Sequence, residues 1–110
     1  MTNTTPIKNQ INILFQMIVA DYKRINTNTT AIKEFANGLG VSYGRKYIKI
    51  TSNGSVWGFI VNTNNDKKFQ YGDILLPVSW SAPARNSARG NVFDLNADSS
   101  VYWTGPGYLK

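Results

Sequence analysis

Thirteen residues, SWSAPARNSARGN (79–91), concentrate the groups that could do chemistry: Trp80, the guanidinium groups of Arg85 and Arg89, Pro83 and Gly90. A guanidinium is a planar fork of N–H donors that matches phosphate or carboxylate oxygens. An indole offers a flat face on which any base can stack, worth about 1–3 kcal/mol per base. Together they point to a non-catalytic site for nucleic acid or another anion, with affinity that falls as salt rises. The same residues also admit a structural reading. Trp80 then packs in the core, Arg89 bonds backbone carbonyls to hold a corner, and Gly90 serves backbone geometry.

A second basic stretch, RKYIKIT (45–51), adds Lys46, Tyr47 and Lys49. Side chains alternate along a strand, so Tyr47 and Lys49 share one face while Lys46 points to the other. Single-strand binders of the RRM and OB type use such a basic, aromatic sheet face. No RNP1 pattern is present, and an ordinary half-exposed strand reads the same way. The candidate nucleic-acid or anion site is therefore Arg85, Arg89, Trp80, Lys46, Lys49 and Tyr47.

Other chemistry is narrowed by what the chain lacks. It contains no cysteine and no histidine. Disulfides, thiolate or imidazole metal ligands, a cysteine nucleophile and a serine–histidine pair are all excluded. The missing cysteine fits a reducing compartment. Asp66 and Asp73 are a weak carboxylate pair for glycoside chemistry, because nothing sets them across a cleft. DLNAD (94–98) opens like a calcium loop, but Ser99 stands where glycine is needed and Gly105 where a bidentate glutamate is needed. It reads as a turn rich in Asx caps. GLGVSYG (38–44) has neither dinucleotide nor Walker spacing and reads as a helix C-cap and connection. The expectation is a protein that is not an enzyme and takes no cofactor and no metal.

Twelve Lys and Arg against six Asp and Glu give a formal charge of +6. That balance favours a polyanion or an acidic partner. Across 110 residues, 42% are apolar and 13% aromatic, which argues for one folded domain. MTNTTPIKNQ lacks the pattern of a signal peptide, and no stretch is apolar enough to span a membrane, so no membrane partner is expected.

The elements that must position these groups follow from periodicity. Ile7, Ile11, Leu14, Phe15, Ile18, Tyr22 and Ile25 recur at three- and four-residue steps and predict an amphipathic helix. Lys8, Gln10, Asn12, Gln16 and Lys23 lie away from that face. Thr5 is the expected cap and Pro6 the first helical residue. Asn28, Thr29 or Thr30 caps a second helix to about Asn37, with Gly38 left-handed beyond it. From Arg45 the period becomes two. A hairpin is predicted with its turn at Asn53-Gly54 and SVWGFIVN (55–62) as the return strand. KFQYGDIL (68–75) leads into a third strand, with a bend at Gly72-Asp73 and Pro77 restricting any continuation. Pro83 and Gly90 bracket a short helix over PARNSAR (83–89), which places Arg85 and Arg89 one turn apart on one face. NVF (91–93) and SVYW (100–103) are short strand candidates. The result is an α+β fold: a helical region over 6–37, a β-rich region over 45–110, and N-terminal amphipathic helices packed on a small antiparallel sheet.

From about Gly44 to Leu109 the pieces GRKYIKI, SVWGFIV, FQYGDIL, SWSAPARNSARGNVFD and TGPGYL follow one another. In that order the chain resembles a family of small tailed-bacteriophage proteins of uncharacterised function. Ser79-Trp80, Pro83-Ala84 and Ala88-Arg89-Gly90-Asn91 form the most specific piece. Family members often carry lysines flanking the tryptophan motif and a histidine before ARGN. This chain has Pro77, Ser81 and Ser87 at those places, so a role resting on them does not carry over. The helical N-terminal region lies outside the resemblance. The resemblance implies a phage setting, in the cytoplasm of an infected bacterial host or in the virion, and no catalytic mechanism. The expected function is a small basic phage accessory protein that binds nucleic acid by electrostatics and aromatic stacking. The alternative is a virion or host-interaction protein, acting through a homo-oligomer or a viral or host protein partner without nucleic acid.

Overall fold

A computed structural model describes residues 6–107. Helix α1 spans Ile7–Ile25 and helix α2 Thr29–Asn37. The three- and four-residue steps of α1 bury Ile11, Leu14 and Ile18 completely, with Phe15, Met17 and Tyr22 packed alongside. Gln10 departs from the expected polar side: its side chain donates a 2.7 Å bond to the Val92 carbonyl and ties α1 to the far end of the chain. Pro6 sits one residue earlier than expected. Its ψ of 139° is extended, so it caps the helix, and its carbonyl accepts the N–H of Asn9. Thr5, the expected cap, lies outside the described residues. At α2, Asn28 is the cap, accepting the Ala31 N–H through its side chain at 2.9 Å.

Gly38 is not left-handed, as the helix-ending rule would have it; its φ is −86°. What requires glycine is space. A Cβ there would stand 2.0 Å from the Asn53 side-chain oxygen, where the hairpin turn crosses the end of α2.

The sheet is antiparallel with order β1-β2-β3-β4: Leu39–Tyr43, Tyr47–Ser52, Ser55–Val61 and Ile74–Leu75. β1 corrects the reading of 38–44 as a connection. Leu39, Val41 and Tyr43 alternate with Gly40, Ser42 and Gly44, a period of two masked by small residues. The β2–β3 turn is the expected one, with positive φ at Asn53 (52°) and Gly54 (90°). A bulge opposite Ile50 and Thr51 inserts Trp57 as an extra residue and turns its indole into the helix-side core.

The two faces of the sheet are covered differently. Ile48, Ile50, Ile60 and Ile74 meet the helices. Phe59, Val61 and Leu75 lie on the other face beneath Phe69 and Ala88, which come from long loops. There is no helix over 83–89. Its backbone bonds go to the strand beside it: the N–H of Ala84 donates to Leu76 O, the N–H of Arg89 to Ile74 O, and the N–H of Ile74 to Gly90 O. These non-local bonds satisfy the groups a helix would have used. NVF is likewise no strand. Asn91 bridges Asp73, and Val92–Asp94 forms a short 3-10 turn in which the Val92 N–H donates to Gly72 O and the Phe93 and Asp94 N–H groups donate to the side chain and carbonyl of Asn91. DLNAD closes as a turn in which the Asn96 side chain accepts the Asp98 N–H at 2.8 Å. Val101–Tyr102 (β5) and Gly105–Pro106 (β6) pair as a separate ribbon against α1 and β3. The architecture is α+β, with helices on one face of a small antiparallel sheet. Among the described residues no helix is long and apolar enough to cross a membrane.

Candidate nucleic-acid interface

The loop-covered face of the sheet carries most of the candidate residues. Tyr47 and Lys49 project from β2 on that face, across from Val61 and Phe59. Asp66 organises the loop above them. Its Oδ1 accepts the N–H groups of Lys68 (2.8 Å) and Phe69 (3.0 Å). Both of its oxygens take the Arg85 fork, Oδ2 from Nη1 and Oδ1 from Nη2, each at 3.0 Å. Arg85 Nη1 also donates to the Tyr47 hydroxyl. The Lys68 ammonium donates to the Arg85 carbonyl at 2.7 Å, and the Arg85 guanidinium stands 4.9 Å from the centre of the Phe69 ring. The two backbone bonds to Asp66 are local, whereas every contact of Arg85 joins segments distant in sequence.

The Arg85 hydrogen bonds, and then the two backbone N–H donors, hold the Asp66 carboxyl far below its ordinary value near 3.8. The same pairing pushes Arg85 up, partly opposed by desolvation. A depressed carboxylate pKa adds stability that is complete above the unfolded value and is lost as pH falls towards the folded one. The urea midpoint should therefore hold steady down to about pH 5 and fall below about pH 4. Asp66→Asn should have a lower midpoint at neutral pH and a flatter acid limb; an unchanged acid limb would remove Asp66 from this role.

Arg85 is thus not the free fork expected from sequence, because Asp66 already neutralises it. Its side chain nevertheless remains 39% exposed and forms one wall of a groove. Arg45 and Lys46, from the β1–β2 turn, form another wall. Thr63, Asn65, Asp66 and Lys67, from the β3–β4 loop, complete a space of ≈ 480 Å³, with Asp66 its one acidic lining residue. The ion pairs among the described residues are Arg24–Asp21 and Arg85–Asp66, so Arg45, Lys46 and Lys67 face this groove without an acidic partner. Of these cations only Lys46 is among the residues expected from sequence; Arg45 and Lys67 are additions of the structure. The available signal was two adjacent cation pairs, Arg45-Lys46 and Lys67-Lys68, each in a turn. A wider cleft of ≈ 640 Å³ between the helices and the hairpin has Glu34 as its one charged lining residue and offers nothing to an anion.

Trp80 is 56% exposed, which corrects the reading that packs it in the core. It rides on a tight loop closed by a Pro77–Pro83 bridge and by the Val78 and Ser79 N–H groups on Ala82 O. The Lys49 ammonium stands 4.3 Å from the centre of its ring, leaving the loop tip as a cation-backed aromatic platform. Arg89 lies elsewhere. With no helix to align them, the two arginines diverge. Arg89 Nη1 makes a long 3.5 Å bond to the Gly107 carbonyl, and its Nε is buried without a partner. Gly90 adopts φ 144°, a conformation open to glycine. The structure therefore brings Arg85, Tyr47, Lys46, Lys49 and Trp80 to one side of the sheet and sets Arg89 apart.

No family model, curated protein or solved structure matches the chain. Among the described residues no three acids come together as metal ligands.

Proposed function

We propose that the protein binds nucleic acid without catalysis, in the phage setting implied by the resemblance. Phosphates enter the groove of Arg45, Lys46, Lys67 and Arg85, and a base stacks on Trp80. The observation that carries this reading is the placement of three cations without acidic partners around one groove, beside an arginine whose geometry an acid fixes. Fixing Arg85 through Asp66 removes the entropic cost of ordering it when a phosphate arrives. Catalysis is not needed for the proposal, because positioning and charge suffice for sequence-tolerant binding.

Fluorescence anisotropy with labelled oligonucleotides at low salt tests the proposal. The wild type should bind single-stranded DNA or RNA. Trp80→Ala should weaken binding by about 5- to 150-fold, the equivalent of one stacked base. Equal affinity in the two proteins would take stacking out of the account.

The exposed tip supports a second reading, in which the protein contacts a virion or host protein. Val78 is 71% exposed beside Trp80, and a raised apolar pair of this kind suits a protein pocket. Absence of oligonucleotide binding, together with capture of a defined partner that Trp80→Ala abolishes, would favour that reading.

A further inference from the structure

We propose that two copies of this chain pair through the outer edge of β1, antiparallel about a twofold axis at Val41, and join their sheets into one. β1 is the first strand in the order β1-β2-β3-β4, so one of its edges has no strand beside it. The direction in which its backbone groups point follows from the ladder. Gly44 N–H donates to Tyr47 O, and Asn53 N–H donates to Gly38 O, which marks both as hydrogen-bonded pairs. The register between them is unbroken from Leu39↔Ser52 to Tyr43↔Ile48. Hydrogen-bonded pairs alternate in an antiparallel ladder, so Gly40 and Ser42 also turn their N–H and C=O groups towards β2. Leu39, Val41 and Tyr43 turn theirs outward, and among the described residues no turn or loop bond ends on them.

Edges of this kind are normally guarded by lysine, proline, a bulge or a covering element. LGVSY has no charged residue and no proline, and the bulge of this sheet lies between β2 and β3 instead. Val41 and Tyr43 stand opposite Ile50 and Ile48, on the helix side of the sheet, yet they are 39% and 51% exposed. The helices leave that margin bare.

A second copy fits this edge better than an arbitrary extended peptide, because the strand is complementary to itself. Rotation about Val41 pairs Val41 with its own counterpart and Leu39 with Tyr43. Every outward-facing residue then meets another outward-facing residue, and each pair closes two backbone bonds. Aromatic-aliphatic and β-branched cross-strand pairs are favourable. Although the chain carries a formal charge of +6, the strand itself opposes no like charges.

Sedimentation velocity on the full chain, from micromolar to millimolar concentration, tests the pairing. The wild type should pass from its 12.3 kDa monomer to twice that mass. Val41→Pro removes an N–H that the β1–β2 ladder does not use, so it should leave the fold intact and weaken the dimer at least tenfold. Val41→Lys guards the same edge with a charge and should do likewise, which keeps the test valid if the proline variant fails to fold. A wild type that stays monomeric at millimolar concentration would overturn the proposal and leave the edge to another protein's strand. A dimer of unchanged affinity in a folded variant would also overturn it. Oligonucleotide binding is a separate readout, so loss of the groove's function would leave this result standing.

Discussion

Replacing Trp57 by alanine is expected to destabilise the protein by about 3–5 kcal/mol, the range for deleting a buried aromatic from a core. Trp57 is 2% exposed and belongs to the cluster shared by both helices and the sheet. Its Nε1–H donates a 2.7 Å bond to the Tyr102 carbonyl, which fastens the β5–β6 ribbon to the main sheet. Truncation leaves a cavity, an unpaired carbonyl and a bulge with no side chain to justify it. Domains of this size are stable by roughly 5–15 kcal/mol, so the loss would take a large share of the total. At about 4–8 °C per kcal/mol the midpoint should fall by at least about 12 °C. Trp57→Phe keeps an aromatic ring and loses the N–H bond, so it should cost visibly less. Urea unfolding of both variants checks the order; a loss under about 1 kcal/mol for Trp57→Ala would mean that the ribbon is not held through this residue.

The second large effect concerns binding. Arg45→Ala, Lys46→Ala and Lys67→Ala combined should reduce oligonucleotide affinity at low salt by about a hundredfold or more, since these three cations supply most of the groove's phosphate contacts. Stability should scarcely change, because the three side chains are exposed and form no ion pair among the described residues. A parallel Arg89→Ala variant separates the groove from the rest of the motif. Arg89 lies apart from the groove, so its loss should leave affinity close to that of the wild type. Anisotropy at fixed low salt, with thermal unfolding as control, measures both. An Arg89 effect as large as the triple effect would relocate the site.

Which features could be read from sequence depends on whether their cause is local. The stripe of α1 and the Asn53-Gly54 turn arise from neighbouring residues, and both appear as expected. β1 was hidden because glycine and serine occupy the alternate positions of Leu39, Val41 and Tyr43, which weakens the apolar signal. The helix expected over 83–89 fails for the opposite reason. Proline and glycine bracket it correctly, but Leu76 and Ile74 claim its backbone bonds from outside the segment. The site shows the same division. Tyr47 and Lys49 could be named from alternation within β2, whereas Lys46 lies in the turn before it and lines the groove beside the Asp66–Arg85 pair rather than the opposite face that alternation gave it. The Asp66–Arg85 pair could not, because its partners stand 19 positions apart with β4 between them. That pair changes Arg85 from a free anion grip into the fixed wall of a groove, and the groove depends on Arg45 and Lys67 arriving from two separate turns.

The most direct test of the central claim is the salt dependence of oligonucleotide affinity, measured on the wild type and on the triple variant of Arg45, Lys46 and Lys67. With three to four phosphates held, the wild-type plot of log affinity against log salt for a single strand should have a slope of about −2 to −3, and the triple variant should lose most of it. No binding at the lowest salt, or a slope that the triple variant leaves intact, would contradict the proposal that this groove receives the phosphate backbone.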